Sequence, residues 1–376
     1  MLKPALQETL GVILFQEQVL KIATSVAGFT PGEGELLRRA LGHKRADEHI
    51  EAFREKFLMG AQSKGVPSKV AEQIFDQLRA FGSYSFSKAH AAAFAVITYW
   101  SAWLRCHHPL FFFAGLLRHQ PMGFYPEHVV VSDAQRVGVK FLPVDLRHSV
   151  TQAVVEGDAI RLGLSSIHGF GPEQIEVLEQ ERWRGPYKSL NDLVKRTGLD
   201  RPHVEALVLA GALDYMGERR QLLWDIAEAY RLARRPKELP MKSKDERVKL
   251  PPMDARTRLA TSFAFTGVSL EGHLTTTRRD AFTRAGAQSI RELPHLKHGQ
   301  KVKIGGLIVA RQHPPTAKGF CFLAVEDPDG MVNVVVPPAV YEQCRQAIHS
   351  AFVIVEGVVQ KDHGAINVLA AQVREV

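Results

Sequence analysis

Residues 165 to 178 read SSIHGFGPEQIEVL, a pattern that decides how the chain around it folds. A hydrophobic-x-Gly-hydrophobic-Gly run follows a short helical segment and opens a new helix with Pro172 in its first turn, where the absent N–H is no loss. Gly169 and Gly171 let the backbone turn tightly and approach a phosphate, whose charge the N-terminus of the following helix favours. That is the logic of a helix-hairpin-helix, a grip on a DNA backbone without sequence preference. Ser166 and His168 flank the glycines and join them as candidate DNA-backbone contacts. A weaker second hairpin is expected at VLAGALDYMG, residues 208 to 217. A plain helix-capping turn is the alternative. A dinucleotide fingerprint is disfavoured, because no β-α-β unit surrounds the glycines.

The surroundings bound what such a hairpin belongs to. At 376 residues the chain exceeds one ordinary core, so two to four domains are expected. Apolar residues make up 45% and charged residues 23%, the balance of a globular protein able to bury a core. Forty-eight Lys and Arg against 40 Asp and Glu give +8, a moderate bias toward polyanions that a harmlessly basic protein also shows. Cys106, Cys321 and Cys344 are too few and too scattered for a disulfide framework or a CxxC metal site, which fits a reducing cytoplasm. No signal peptide is found. The most apolar window, 91 to 117, is broken by Arg105, Cys106, His107, His108 and Pro109 and falls short of a membrane span, so it reads as buried helices.

From residue 10 to about 120 apolar residues recur at helical spacing, as in EQVLKIATSVAGF and KVAEQIFDQLRAF, and suggest one helical domain. Between 128 and 164 the pattern turns β-like in VVVSDAQRVGVKFLPVDL and AVVEGDAIRLGL, with a hairpin at EGD. Residues 165 to 232 return to short helices. Residues 233 to 259 carry nine Lys or Arg, four Asp or Glu and four prolines, a poor core candidate that reads as a linker. From about 300 onward, five β-branched runs joined by DPDG and DHGA turns, with a helix at AVYEQCRQAI after the third, match a small OB-type barrel. The expected fold class is multidomain α+β: a mostly helical part at 1–127, a strand-bearing connection at 128–164, tandem hairpins at 165–232, a linker and connecting segment at 233–299 and a barrel at 300–376.

Among the remaining constellations, LLRRALGHKR at 36 to 45 gathers Arg38, Arg39, His43, Lys44 and Arg45 around one glycine. A run of this kind is usually a solvated helix face. A second cationic helix entrance lies at Lys88 and His90 in FGSYSFSKAHAAAFAVITYW, residues 81 to 100, and two such clusters could converge on one polyphosphate. Cys106, His107 and His108 are adjacent and point to different sides of a helix, which makes a metal site improbable. Asp145 and Asp214 read as cap or turn residues. No GxSxG, Walker or HExxH pattern occurs. Phe320 and Phe322 are candidates for base stacking on the barrel, against the commoner role of strand residues in a core.

With these residues in view, the chain resembles the C-terminal portion of the bacterial DNA polymerase III alpha subunits, the C-family type. The matching runs are GVILFQEQVLKIA (11 to 23), LLRRALGHK (36 to 44), FGSYSFSKAHAAAFAVITYWSAWLRCHHP (81 to 109) and GLSSIHGFGPEQI (163 to 175). By that resemblance, the first part is the fingers, 155 to 230 the tandem helix-hairpin-helix region and 300 to 376 the OB domain. It implies that Arg38, Arg39, Lys44, Lys88 and His90 face the phosphates of an incoming nucleotide and the template, with the apolar helix behind them as scaffold. Nucleotidyl transfer in this family uses two metal ions held by palm carboxylates. The palm lies upstream of the residues with which this chain begins, so no catalytic or metal residue is expected here and Mg2+ is expected only with the palm.

The chain stops near the barrel, lacks a convincing glutamine-led clamp-binding pentapeptide and carries the TAKGFCFLAVEDPDG form of the barrel. These features favour the error-prone, damage-induced paralogues over the replicative ones. The resemblance then implies primer-template DNA, dNTP, an upstream palm-bearing chain and Y-family-like and RecA-like accessory proteins as partners, with no membrane. A non-catalytic DNA-binding fragment is the alternative.

Overall fold

The computed structural model describes residues 1–42, 47–82, 86–123, 125–234 and 248–376. Lys44 and much of the 233–259 linker therefore lie outside the described residues. The chain divides into two compact units, Met1–Trp103 and Leu104–Val376.

The first unit is helical: α1 (Lys3–Leu6), α2 (Gln16–Ala27), α3 (Pro31–Gly42), α4 (Asp47–Ser63), α5 (Ser68–Gly82) and most of α6 (Lys88–His107). The start of α3 is written in the sequence TPGE. Thr30 Oγ1 accepts the Glu33 N–H while the Glu33 carboxylate accepts the Thr30 N–H, a reciprocal cap followed at once by Pro31. Ile22, Leu37, Phe57, Phe75 and Leu78 are buried in the core between α2, α3, α4 and α5. The Phe57 ring lies 6.1 Å from Phe29 and 5.5 Å from Phe75, centroid to centroid.

In the second unit, α7 (Pro109–Arg118) and α8 (Glu127–Arg136) precede a three-stranded sheet of β1 (Lys140–Leu142), β2 (Val154–Glu156) and β3 (Ala159–Arg161). β3 is central, parallel to β1 and antiparallel to β2, and the EGD turn joins β2 to β3 as expected. Then come α9 (Pro172–Arg182), α10 (Leu190–Thr197), α11 (Arg201–Leu209), α12 (Arg219–Arg234), α13 (Ala255–Thr266) and α14 (Arg279–Arg284). The closed barrel comprises β4 (Lys301–Gln312), β5 (Cys321–Asp327), β6 (Gly330–Val336), α15 (Pro338–His349), β7 (Phe352–Asp362) and β8 (Ala365–Glu375). Its strand order is β4-β5-β6-β8-β7, with β7 returning to pair with β4. The five strands, the helix after the third and both turns stand where the sequence puts them. At DPDG, Asp327 Oδ1 accepts the N–H groups of Asp329 and Gly330, both at 2.9 Å, which pins the β5-β6 hairpin.

Four expectations are corrected. VVVSDAQR is helical, not β-like: Pro126 caps α8, Val137 and Gly138 end it, and Val129, Val131 and Ala134 are buried, so packing overrides the β preference of valine. The apolar window 91 to 117 is not a pair of buried helices. α6 buries none of its described residues, and Phe94, Tyr99 and Trp100 are exposed. After the Pro109 break, α7 turns Phe113, Ala114 and Leu117 into the core that holds the hairpins, not into the core of the first unit. Finally, the basic stretch ends in a structured helix: Asp254 caps α13 by accepting the Thr257 N–H, and Leu259 is buried.

Phe57 makes edge contacts on two sides of a fully buried site, so Phe57→Ala should cost about 3–5 kcal/mol of stability in the first unit. Denaturant unfolding followed by hydrogen exchange over α2, α4 and α5 measures it.

Candidate nucleic-acid interface

In the first unit, two neighbouring residues of α2 collect the cationic helix entrances. Arg38 donates from Nη1 to Gln16 Oε1 at 2.8 Å and forks onto Glu35 through Nε and Nη2, at 2.8 and 2.7 Å. Arg39 Nε also reaches Glu35, at 2.9 Å. Glu17, next to Gln16, accepts the Lys88 backbone N–H at 3.0 Å and so caps α6. Burial pushes the Glu17 carboxyl up, but the N–H groups of Lys88 and Ala89 and the Ser87 hydroxyl outweigh it and leave it lowered. The Lys88 ammonium pairs with Glu8. The Gln16 N–H bonds to the Phe86 carbonyl at 2.8 Å, which fixes the entry to α6 against α2.

Arg38 and the Lys88 backbone thus meet neighbouring residues of α2, Gln16 and Glu17, and Arg39 joins Arg38 on Glu35. His90 follows on the first turn of α6, between the rings of Phe86 (5.3 Å) and Phe94 (4.5 Å). The guanidinium groups of Arg38 and Arg39 hold the Glu35 carboxyl down at about 2. Arg38, Arg39 and Lys88 each have a carboxylate partner, and Arg39 remains two-thirds exposed.

In the second unit, the stretch from Leu164 to Ser166 forms a single 3-10 turn, and α9 begins at Pro172. Gly169 takes φ +88°, a conformation that only glycine adopts freely, and a side chain there would meet open space. Gly171 donates its N–H to Gln174 Oε1 at 3.0 Å. Among the described residues the Gly169 N–H has no acceptor, so this turn presents an amide beside a helix N-terminus. Ser166 and His168 instead use their polar groups in bonds within the protein, although His168 is exposed. The Ser166 hydroxyl donates to the Gly163 carbonyl at 2.7 Å. His168 Nδ1 bonds to the Ala264 carbonyl at 2.9 Å, and its backbone N–H to the Phe265 carbonyl at 2.7 Å. His168 is a staple from the turn to α13.

The second turn, between α11 and α12, has the expected form but is filled. Gly211 takes φ +84°, and a Cβ there would sit 2.2 Å from Arg219 Nη2. Arg219 is buried, forks onto Asp214 at 2.8 and 2.9 Å, and donates to Ser262 Oγ of α13 at 2.8 Å. Glu271 lies 3.5 Å from its Nη2, and Arg258 joins Glu271 at 3.0 Å. Asp214 is thus an ion-pair partner, not merely a turn residue. Sequence reasoning missed Arg219, Ser262 and Glu271. Asp214 and Arg219 were visible five residues apart around a glycine turn, but nothing local connects them to Ser262 or Glu271.

On the barrel, Phe322 lies on β5 between buried Cys321 and Leu323, so strand alternation turns it outward, and it is partly covered. Among the described residues no group of three or more His, Cys, Asp or Glu is placed to hold a metal ion, and no helix is long and apolar enough to cross a membrane.

Glu35 should titrate near pH 2, followed by NMR, and Arg38→Ala should move its midpoint up toward 4.5. Because its pKa is lowered on folding, any stability linked to it is present above about 4.5 and lost as pH falls through about 2. Arg219→Met should cost roughly 1–3 kcal/mol in chemical denaturation, since it leaves the buried Ser262 hydroxyl without its donor, while the part-exposed Asp214 keeps Arg258 nearby.

Two segments match known families: residues 1–65 the bacterial DNA polymerase III alpha subunit finger domain, and residues 138–223 a helix-hairpin-helix motif. Nearly the whole chain aligns with proteins named error-prone DNA polymerase. The relative from Corynebacterium efficiens is 39% identical over 98% of this chain and 34% of its own length. That from Mycobacterium tuberculosis strain H37Rv is 39% identical over 98% and 34%, and that from Methylococcus capsulatus 35% over 99% and 38%. The chain spans about a third of the length of the curated relatives it matches. Along nearly its whole length the chain is thus similar to about a third of proteins named error-prone DNA polymerase, and two of its segments match the finger domain of the bacterial DNA polymerase III alpha subunit and a helix-hairpin-helix motif.

Proposed function

We propose that the chain is the nucleotide- and DNA-holding part of an error-prone DNA polymerase, acting in DNA-templated synthesis across damage. The observation that carries this is the meeting of Arg38 and the start of α6 at Lys88 on neighbouring Gln16 and Glu17, with Arg39 beside Arg38 on Glu35, within and beside the segment that matches polymerase fingers. Exposed carboxylate partners are weak competitors, because water screens them. A triphosphate offers these cations more charge than Glu8 and Glu35 do. Lys44 and His90 complete the proposed nucleotide and template contacts.

The open Gly169 turn, with Gly171 and the N-terminus of α9, takes a phosphate of the primer-template duplex. Ser166 and His168 shape that turn from behind. On this reading Mg2+ and the chemistry of transfer belong to a palm-bearing portion. Further partners on this reading are Y-family-like and RecA-like accessory proteins, and the compartment is the cytoplasm.

The test is duplex binding by fluorescence anisotropy across salt concentrations. Affinity should be equal for unrelated sequences and fall steeply with salt, and Gly169→Val should weaken it about tenfold while shrinking the salt slope by about one. A strong sequence preference, or no effect of Gly169→Val, would refute the assignment.

A further inference from the structure

Within the second unit, one carboxylate of the barrel is buried far from the DNA-facing turn. Glu326 on β5 is completely covered, in a strand otherwise filled with Cys, Leu, Ala and Val. Burying a carboxylate costs several kcal/mol unless it is paired, so its partners identify its role. Arg136, on the last turn of α8, pairs with its Oε1 and also reaches the Asp327 carbonyl at 3.5 Å. His273, on the loop after α13, stands with Nε2 3.6 Å from Oε2. Thr275 donates its N–H to His273 Nδ1 at 3.2 Å, so the proton of the neutral ring lies on Nε2 and points at Glu326. Burial pushes the Glu326 carboxyl up, yet His273 and Arg136 outweigh it and leave it lowered. Burial also lowers His128, keeping that ring neutral. The cluster therefore balances one guanidinium against one carboxylate.

Three buried polar atoms around it have no protein hydrogen-bond partner: Glu326 Oε2, His128 Nε2 and Ser269 Oγ. His128, Ser269 and His273 line a half-open cavity of about 20 Å³ with Val131, Phe263 and Leu307. Asp327 does not share the role of Glu326, because its carboxylate is taken by the N–H groups of Ile290, Asp329 and Gly330.

We propose that Glu326, through Arg136 and His273, is the residue that docks the barrel onto α8 and the 268–275 loop. No covalent change is involved, and the proposal stands whether or not the chain serves a polymerase.

Hydrogen exchange on the full chain tests it. In Glu326→Gln, amides of 127–136 and 268–275 should exchange about tenfold faster, the effect of one buried polar group left unpaired. Amides of Val325, Val334 and Val355 in the barrel should keep their protection. Equal loss in the barrel strands would make Glu326 a plain core residue, and unchanged exchange everywhere would remove its role altogether; either overturns the proposal. Should Glu326→Gln fail to fold, Arg136→Met, which leaves the barrel sequence intact, must give the same split pattern.

Discussion

The buried guanidinium of Arg219 is the constraint on which the hairpin region depends. It fills the space beneath the Gly211 turn, forks onto Asp214 and reaches Ser262 on α13. α13 is thereby held where its last turn can accept both bonds from His168. One hairpin turn is plugged so that a helix can brace the other, which stays open. Two turns with nearly the same backbone, Gly169 at φ +88° and Gly211 at φ +84°, thus have opposite prospects of meeting a phosphate. The difference lies in one side chain, not in the glycines.

A similar economy governs the first unit. Glu17 caps α6, and Gln16 beside it anchors Arg38. The helix entrance and the cationic face are therefore one arrangement. Glu8 and Glu35 pair with the cations there. Because these pairs are partly exposed, they position the side chains at small energetic cost.

How much was legible in the sequence follows from the range of the interactions. The barrel was readable because its information is local: β-branched runs, DPDG and DHGA turns and a helix between the third and fourth strands. The HGFG turn and the cationic face were readable because glycine spacing and charge clustering are short-range signals. What failed was decided by partners far along the chain. α8 is helical because Val129, Val131 and Ala134 find a core there, and a valine-rich run says strand until that core is known. The start of α13 looked like linker because Arg256 and Arg258 continue the basic stretch before it, yet Leu259 and Ser262 face inward. Ser262 and Glu271 meet Arg219 across more than forty residues, and no window on the sequence spans that distance. α6 misled in the other direction: its apolar side chains predicted burial, but none of its described residues is buried within this chain.

The most direct measurement of the account is amide hydrogen exchange of the chain with and without duplex DNA, compared at the two glycine turns. The account predicts that DNA protects Gly169 and the first turn of α9, that the protection fades as salt is raised, and that Gly211 and its neighbours are unaffected. Protection at the Gly211 turn with none at Gly169 would contradict it, because a guanidinium already fills the place a phosphate would need.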